Sequence, residues 1–245
     1  MIQITHLGKE YQRKPVLTGL DLSVLPGELV VLQGANGAGK TTLIRILSTL
    51  TKPTSGSFKI GGFSGRDNPE GVRGQIGVML HQPMVYGDLS AVENLRFFAA
   101  LAGKKDYRKR IDACLDQVGL DGNTSKAVRL YSRGMQQRLA IARTLLCDPA
   151  ILLLDEPFTG LDSVNQQKFI SMLQQLRAEG KTLLVTDHDP ARVSQLATRA
   201  DYLYRGKIAR SFSGEEMDAA ALAKAITTIE SGEPGGIAGQ REVEP

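Results

Sequence analysis

A mainly parallel α/β fold is predicted by three observations on the 245-residue chain. Ile151–Leu154 is an uninterrupted apolar run of the kind found where a parallel strand is covered on both faces, and Thr182–Thr186 looks like a second. Asn165–Arg177 lies between them with helical character, and strands alternating with helices favour a parallel sheet. Near the start, Glu28–Gln33, with Val30 and Val31, runs as a strand into a glycine-rich turn.

The elements follow in order. Met1–Leu32 reads as short strands. Lys40–Leu50 places Leu43, Ile46, Leu47 and Leu50 at helical spacing, and Lys52-Pro53-Thr54-Ser55-Gly56 supplies the turn chemistry that ends the helix. Gly61–Gly74, rich in glycine and containing Pro69, reads as a loop, followed by a strand over Ile76–Leu80. From Ser90 to Gln117 the periodicity is helical. Ser231–Pro245 holds glycines and prolines without an aromatic residue, too little apolar surface to repay ordering, and predicts a disordered tail.

Composition narrows the function. With 42% apolar residues the chain can bury a sizeable core, and a net charge of +4 from 30 basic and 26 acidic side chains lacks the dense positive field of a nucleic-acid binder. Cys114 and Cys147 stand far apart without metal or redox spacing, as expected in a reducing cytosol. No apolar run approaches the ~20 residues of a spanning helix, and Met1–Lys14 lacks a signal-peptide core, so the chain is expected to stay inside the cell.

The chemistry concentrates in two places. Gly34-Ala35-Asn36-Gly37-Ala38-Gly39-Lys40-Thr41 brackets four residues between glycines and adds a lysine and a hydroxyl. Glycines allow positive φ and close approach, so that successive N–H groups form an anion nest at a helix start, which Thr42 continues. Lys40 offers a point charge for the β and γ phosphates, and the Thr41 hydroxyl suits Mg²⁺. The expected ligand is a magnesium triphosphate. The second place is Asp155-Glu156, at the carboxyl end of a strand, where α/β sheets collect ligands. Asp155 suits the magnesium shell and Glu156 the general base that polarises an attacking water.

Tyr131-Ser132-Arg133-Gly134-Met135-Gln136-Gln137-Arg138 resembles the signature of the ATP-binding cassette (ABC) family: Ser132, Gly134, Gln137 and Arg138 agree with it, while Tyr131, Arg133 and Met135 depart. Arg133 could add charge to the site or point to solvent. The resemblance extends from Tyr11 to His188. It implies an adenine-stacking role for Tyr11, a link between metal site and transporter for Gln82, an inter-subunit role for Asp162 and a γ-phosphate contact for His188. Taken singly, Tyr11 reads as a half-buried strand residue sooner than as a stacking one, His188 as a capped surface histidine, and Gln82 and Asp162 as loop residues.

The family likeness implies a phosphate-loop ATPase fold with an N-terminal antiparallel β part and an inserted helical subdomain. The ATP-binding domain would span 1–230, with the subdomain at about 85–150 and the tail at 231–245. It also implies a homodimer closed through ATP, integral membrane transporter subunits as partners, and a place at the cytoplasmic face of the cell membrane. Three stretches, His81–Pro83 through Leu89–Phe97, Tyr131–Arg138 and Asp155–Asp162, further resemble the ATPase subunit of the haem exporter of cytochrome c maturation; drug and polysaccharide exporters share much of this frame. Soluble ABC ATPases of ribosomes or DNA are disfavoured, because those carry paired cassettes or long coiled-coil insertions. The basic cluster Lys104, Lys105, Arg108, Lys109 and Arg110 reads as a solvated helix face or a contact with acidic headgroups or a partner loop.

Overall fold

The computed structural model of the protein describes residues 1–103, 107–122 and 125–231. Strands β1 (Ile2–Tyr11) and β2 (Lys14–Val24) form an antiparallel hairpin around Gln12-Arg13, whose φ values of 49° and 63° suit the tight turn that matches strand twist. After β3 (Leu29–Gln33), β4 (Ser55–Ile60) pairs with the free edge of β1, and β5 (Phe63–Ser64) completes a four-stranded sheet in the order β2-β1-β4-β5.

The second sheet contains β3 together with β6 (Ile76–Met79), β7 (Ile151–Asp155), β8 (Thr182–Thr186), β9 (Arg199–Tyr204) and β10 (Lys207–Ser213). Its order is β10-β9-β3-β8-β7-β6; every pair is parallel except β10 with β9. All residues of β3, β7 and β8 are buried, which is why these strands read as continuous apolar runs rather than alternating ones.

The two-residue period divides those side chains between two cores. Val30, Leu32, Ile151, Leu153 and Leu184 pack with the antiparallel sheet and with Leu43, Ile44, Ile46 and Leu47 of helix α1 (Lys40–Leu47). Leu29, Val31, Leu152, Leu154, Leu183 and Val185 face the other way. There they meet a helical layer formed after α2 (Pro69–Gln75) by α3 (Ala91–Leu101), α4 (Arg108–Gln117), α5 (Arg133–Leu145), α6 (Ser163–Ala178), α7 (Pro190–Leu196) and α8 (Ala219–Ser231). Helices α3, α4 and α5 all lie between β6 and β7 in the chain.

Two expectations need correction. Gly61–Gly74 is not a plain loop: it contains β5 and most of α2, which starts because the Asn68 side chain accepts the Gly71 N–H at 2.8 Å and Pro69 supplies a helix-ready φ. The single helical stretch Ser90–Gln117 is two helices. The first begins with a reciprocal Ser90–Glu93 capping box and ends before Gly103, whose φ is 68°. Ser231, expected to open a disordered tail over 231–245, instead closes α8; 232–245 lie outside the described residues, as do Lys104 and Lys105. Arg110 is not a free surface charge, because it donates to the Leu145 carbonyl at 2.8 Å and pairs with Asp148 at 3.3 Å.

Candidate functional site

Adjacent parallel strands β3, β8, β7 and β6 end on the same edge of the sheet, so the loops that follow them converge. Those loops carry Gly34–Gly39, then Asp187-His188, then Asp155-Glu156, then His81-Gln82. In the first, glycine is required for space as well as φ: a Cβ on Gly34 (φ 152°) would stand 2.5 Å from the Leu203 carbonyl oxygen, and one on Gly39 (φ 112°) 2.8 Å from Leu17 Cδ2. Asn36 and Gly37 form its exposed tip. Gly39 caps α1 without a side chain, leaving first-turn N–H groups for a ligand, with Thr41 exposed and Thr42 half-buried beside them.

Lys40 is 5% exposed and donates to the Gly34 and Ala35 carbonyls. Burial pulls its pKa below the usual lysine value, while Glu156, Asp155 and Asp187 oppose that pull and favour the charged form. One cation therefore sits amid the three acids of the neighbouring strand ends.

Asp155 is 1% exposed; its Oδ1 accepts the Thr186 hydroxyl at 2.8 Å and its Oδ2 is buried without a protein partner. An unpartnered buried carboxylate oxygen is costly alone and is a hard donor suited to Mg²⁺. Together with the glycine cradle, it makes the residues present fit a magnesium–triphosphate. Glu156 follows with φ 48°, a conformation uncommon for a side chain with a Cβ, and its N–H donates to Thr186 Oγ1 at 2.8 Å. His81 Nδ1 stands 3.8 Å from Glu156 Oε2, and Gln82 is exposed in the same turn.

Asp187, 2% exposed, accepts the N–H groups of His188 (2.6 Å) and Asp189 (3.0 Å) and is gripped by Arg192 through Nε and Nη2, both at 2.8 Å. Those side-chain bonds push the Arg192 pKa up. They fix the His188 backbone while its imidazole stays exposed.

Ser132 N-caps α5 by accepting the Met135 N–H at 3.2 Å, with Gly134 half-buried beside it. The Arg133 stem crosses Gly160, where an added Cβ would lie 2.5 Å from Arg133 Cδ. Gln137, 3% exposed, donates to the Pro157 carbonyl at 2.9 Å and ties this helix to the loop after β7. Asp162 N-caps α6, accepting from Asn165 N and Nδ2 at 2.8 Å each, and the backbone bond first, then the side-chain bond, holds its carboxyl below the usual range. Tyr11 is 43% exposed at the end of β1, with Lys9 Nζ 4.9 Å from its ring centre; its hairpin reaches Gly39 through Val16 and Leu17.

The strand ends thus bring together the 34–42 loop, Gln82, Asp155, Glu156 and His188. Ser132, Gly134 and Asp162 lie with the 157–162 loop, and among the described residues no hydrogen bond joins Ser132 or Gly134 to residues 34–42. Sequence reasoning did not single out Thr186, Asp187, Arg192 or the Gln137 contact. The first two had a signal, since Thr186 ends and Asp187 follows a fully buried strand beside the predicted acids.

Comparison with known proteins agrees with this geometry. The family model described as ABC transporter matches residues 17–159. The lantibiotic transport ATP-binding protein SrtF of Streptococcus pyogenes is 33% identical over 218 residues, covering 88% of this chain and 93% of the relative. The bacitracin transport ATP-binding protein BcrA of Bacillus licheniformis is 36% identical over 209 residues, covering 85% and 68%. Among solved structures, the dimeric post-hydrolysis state of the ATP-binding cassette MJ0796 bound to ADP and Pi superposes with a TM-score of 0.79 at 30% identity, covering 87% of this chain and 98% of that one.

Proposed function

The chain belongs to the ABC transporter family as an ATP-binding, ATP-hydrolysing subunit, and from that premise we propose that it powers an exporter of drugs or peptide antibiotics as an ATP-closed homodimer. Residues 1–230 form the ATP-binding domain and about 85–150 its helical part, docked on integral membrane subunits at the cytoplasmic face. The observation that carries the reading is the convergence of the glycine cradle, Lys40, Asp155, Glu156 and His188 at the ends of adjacent parallel strands. Within the described residues no helix is long and apolar enough to cross a membrane.

In this account the 34–41 backbone and Lys40 hold the phosphates, Asn36, Gly37 and Thr42 complete the cradle, and Tyr11 stacks on adenine. Asp155 Oδ2, Thr41 and Gln82 would hold Mg²⁺, which when bound offsets charge on the phosphate oxygens. Glu156 takes the proton of the attacking water, and His188 hydrogen-bonds the terminal phosphate. Since no hydrogen bond among the described residues joins Ser132 or Gly134 to the phosphate loop of their own chain, Ser132 of the partner subunit and Gly134 of the partner subunit cap the nucleotide in a two-fold pair, with Asp162 at the same interface. ATP then favours the closed pair because it contacts both halves only there, and loss of the γ-phosphate removes that preference.

A second reading is the haem exporter of cytochrome c maturation. It rests on the sequence likeness of His81–Pro83 through Leu89–Phe97, Tyr131–Arg138 and Asp155–Asp162, whereas the relatives named for lantibiotic and bacitracin transport support the first. Affinity purification from detergent-solubilised membranes is expected to recover integral membrane subunits with the chain, and their identity separates the two readings. Recovery only with ribosomes or nucleic acid would overturn both.

A further inference from the structure

We infer that Thr186 is a positioning residue for ATP hydrolysis, its one hydroxyl orienting both Asp155 and Glu156; the inference rests on the ATPase reading above. Thr186 is 0% exposed, ends β8 and stands in register with Asp155 of β7. A hydroxyl has one proton to donate and lone pairs to accept with. Here the proton goes to Asp155 Oδ1 and a lone pair takes the Glu156 N–H, both at 2.8 Å.

Each bond has a separate consequence. Occupying Oδ1 leaves Oδ2 as the one oxygen of Asp155 without a protein partner, so the carboxylate presents a defined atom to a cation. Accepting the Glu156 N–H stabilises a backbone held at φ 48°, a left-handed conformation that a residue with a Cβ rarely adopts without surrounding support. That kink takes Glu156 out of the strand path, to where its carboxylate is 26% exposed and faces His81 across 3.8 Å. The branched Cβ of threonine restricts χ1, so the hydroxyl is already aimed before nucleotide arrives.

The test compares Thr186→Val and Thr186→Ser with wild type and Glu156→Gln, measuring phosphate release, ATP affinity by equilibrium titration and thermal melting. Thr186→Val, which keeps the shape and loses both hydrogen bonds, is expected to lower kcat about ten- to hundredfold while ATP affinity stays within about threefold. Thr186→Ser, which keeps the hydroxyl, is expected to restore most of that rate. If the valine variant does not fold, Thr186→Cys, with a weak donor of similar size, is read by the same criteria. A wild-type kcat in the folded valine or cysteine variant, or serine and valine variants equally impaired, overturns the inference. If wild type itself releases no phosphate from ATP, the ATPase reading fails; if Glu156→Gln also turns over at the wild-type rate, the assignment of Glu156 as base fails with the inference; if only Thr186→Val does, the positioning role alone fails.

Discussion

Glu156→Gln is expected to lower ATP turnover by roughly 10²–10⁴-fold, the contribution usual for a positioned general base. The amide matches the carboxylate in size but cannot take a proton from water at neutral pH. The Glu156 backbone N–H that Thr186 accepts is untouched by the substitution, so the kink at φ 48° persists. Affinity for ATP should hold or rise, because Glu156 is the strongest carboxylate influence on Lys40 and its charge also repels a triphosphate. Phosphate release and an ATP titration on the same preparation check both halves. Turnover near wild type would remove Glu156 from the role of base.

Lys40→Ala should act on binding itself. The Lys40 ammonium group is nearly enclosed, held by two loop carbonyls and favoured in its charged form by Glu156, Asp155 and Asp187, so it is already placed for phosphate oxygens. A hydrogen bond to a charged group is worth about 1.5–3 kcal/mol, which converts to roughly ten- to hundredfold weaker ATP binding. Alanine is a good helix former, and Lys40 opens α1, so the helix should survive. Equilibrium titration with a fluorescent ATP analogue measures the change, and circular dichroism verifies the fold. An unchanged affinity would contradict the assignment of residues 34–41 to phosphate.

Both experiments were legible in the sequence because the residues involved form local patterns. Gly34 to Thr41 needs only its own spacing, and β7 and β8 announce themselves because burial on two faces demands apolar side chains throughout. Elements held by contacts distant in sequence were harder. Helix α2 buries only Val72 and contains Gly71 and Gly74, so its start rests on the Asn68 cap rather than on a periodic face. Strand β9 begins with the half-buried Arg199 and includes the buried Asp201, an ion pair that interrupts the apolar signal. The same holds at the site. Thr186 reaches Asp155 and Glu156 across about thirty positions, and Gln137 reaches Pro157 across 20, relations that no local pattern displays. Arg133, open to two readings from sequence, is exposed, with its stem lying over the bare Cα of Gly160.

The most direct test is the association state of Glu156→Gln protein with and without ATP, followed by analytical ultracentrifugation across a range of concentrations. A nucleotide held between the phosphate loop of one copy and the Ser132–Gly134 helix start of the other predicts a monomer without nucleotide and a dimer with ATP, lost again when Ser132 is replaced by a bulky residue. Protein that stays monomeric with saturating ATP at high concentration, even beside its membrane subunits, would contradict a nucleotide held between two copies of the chain.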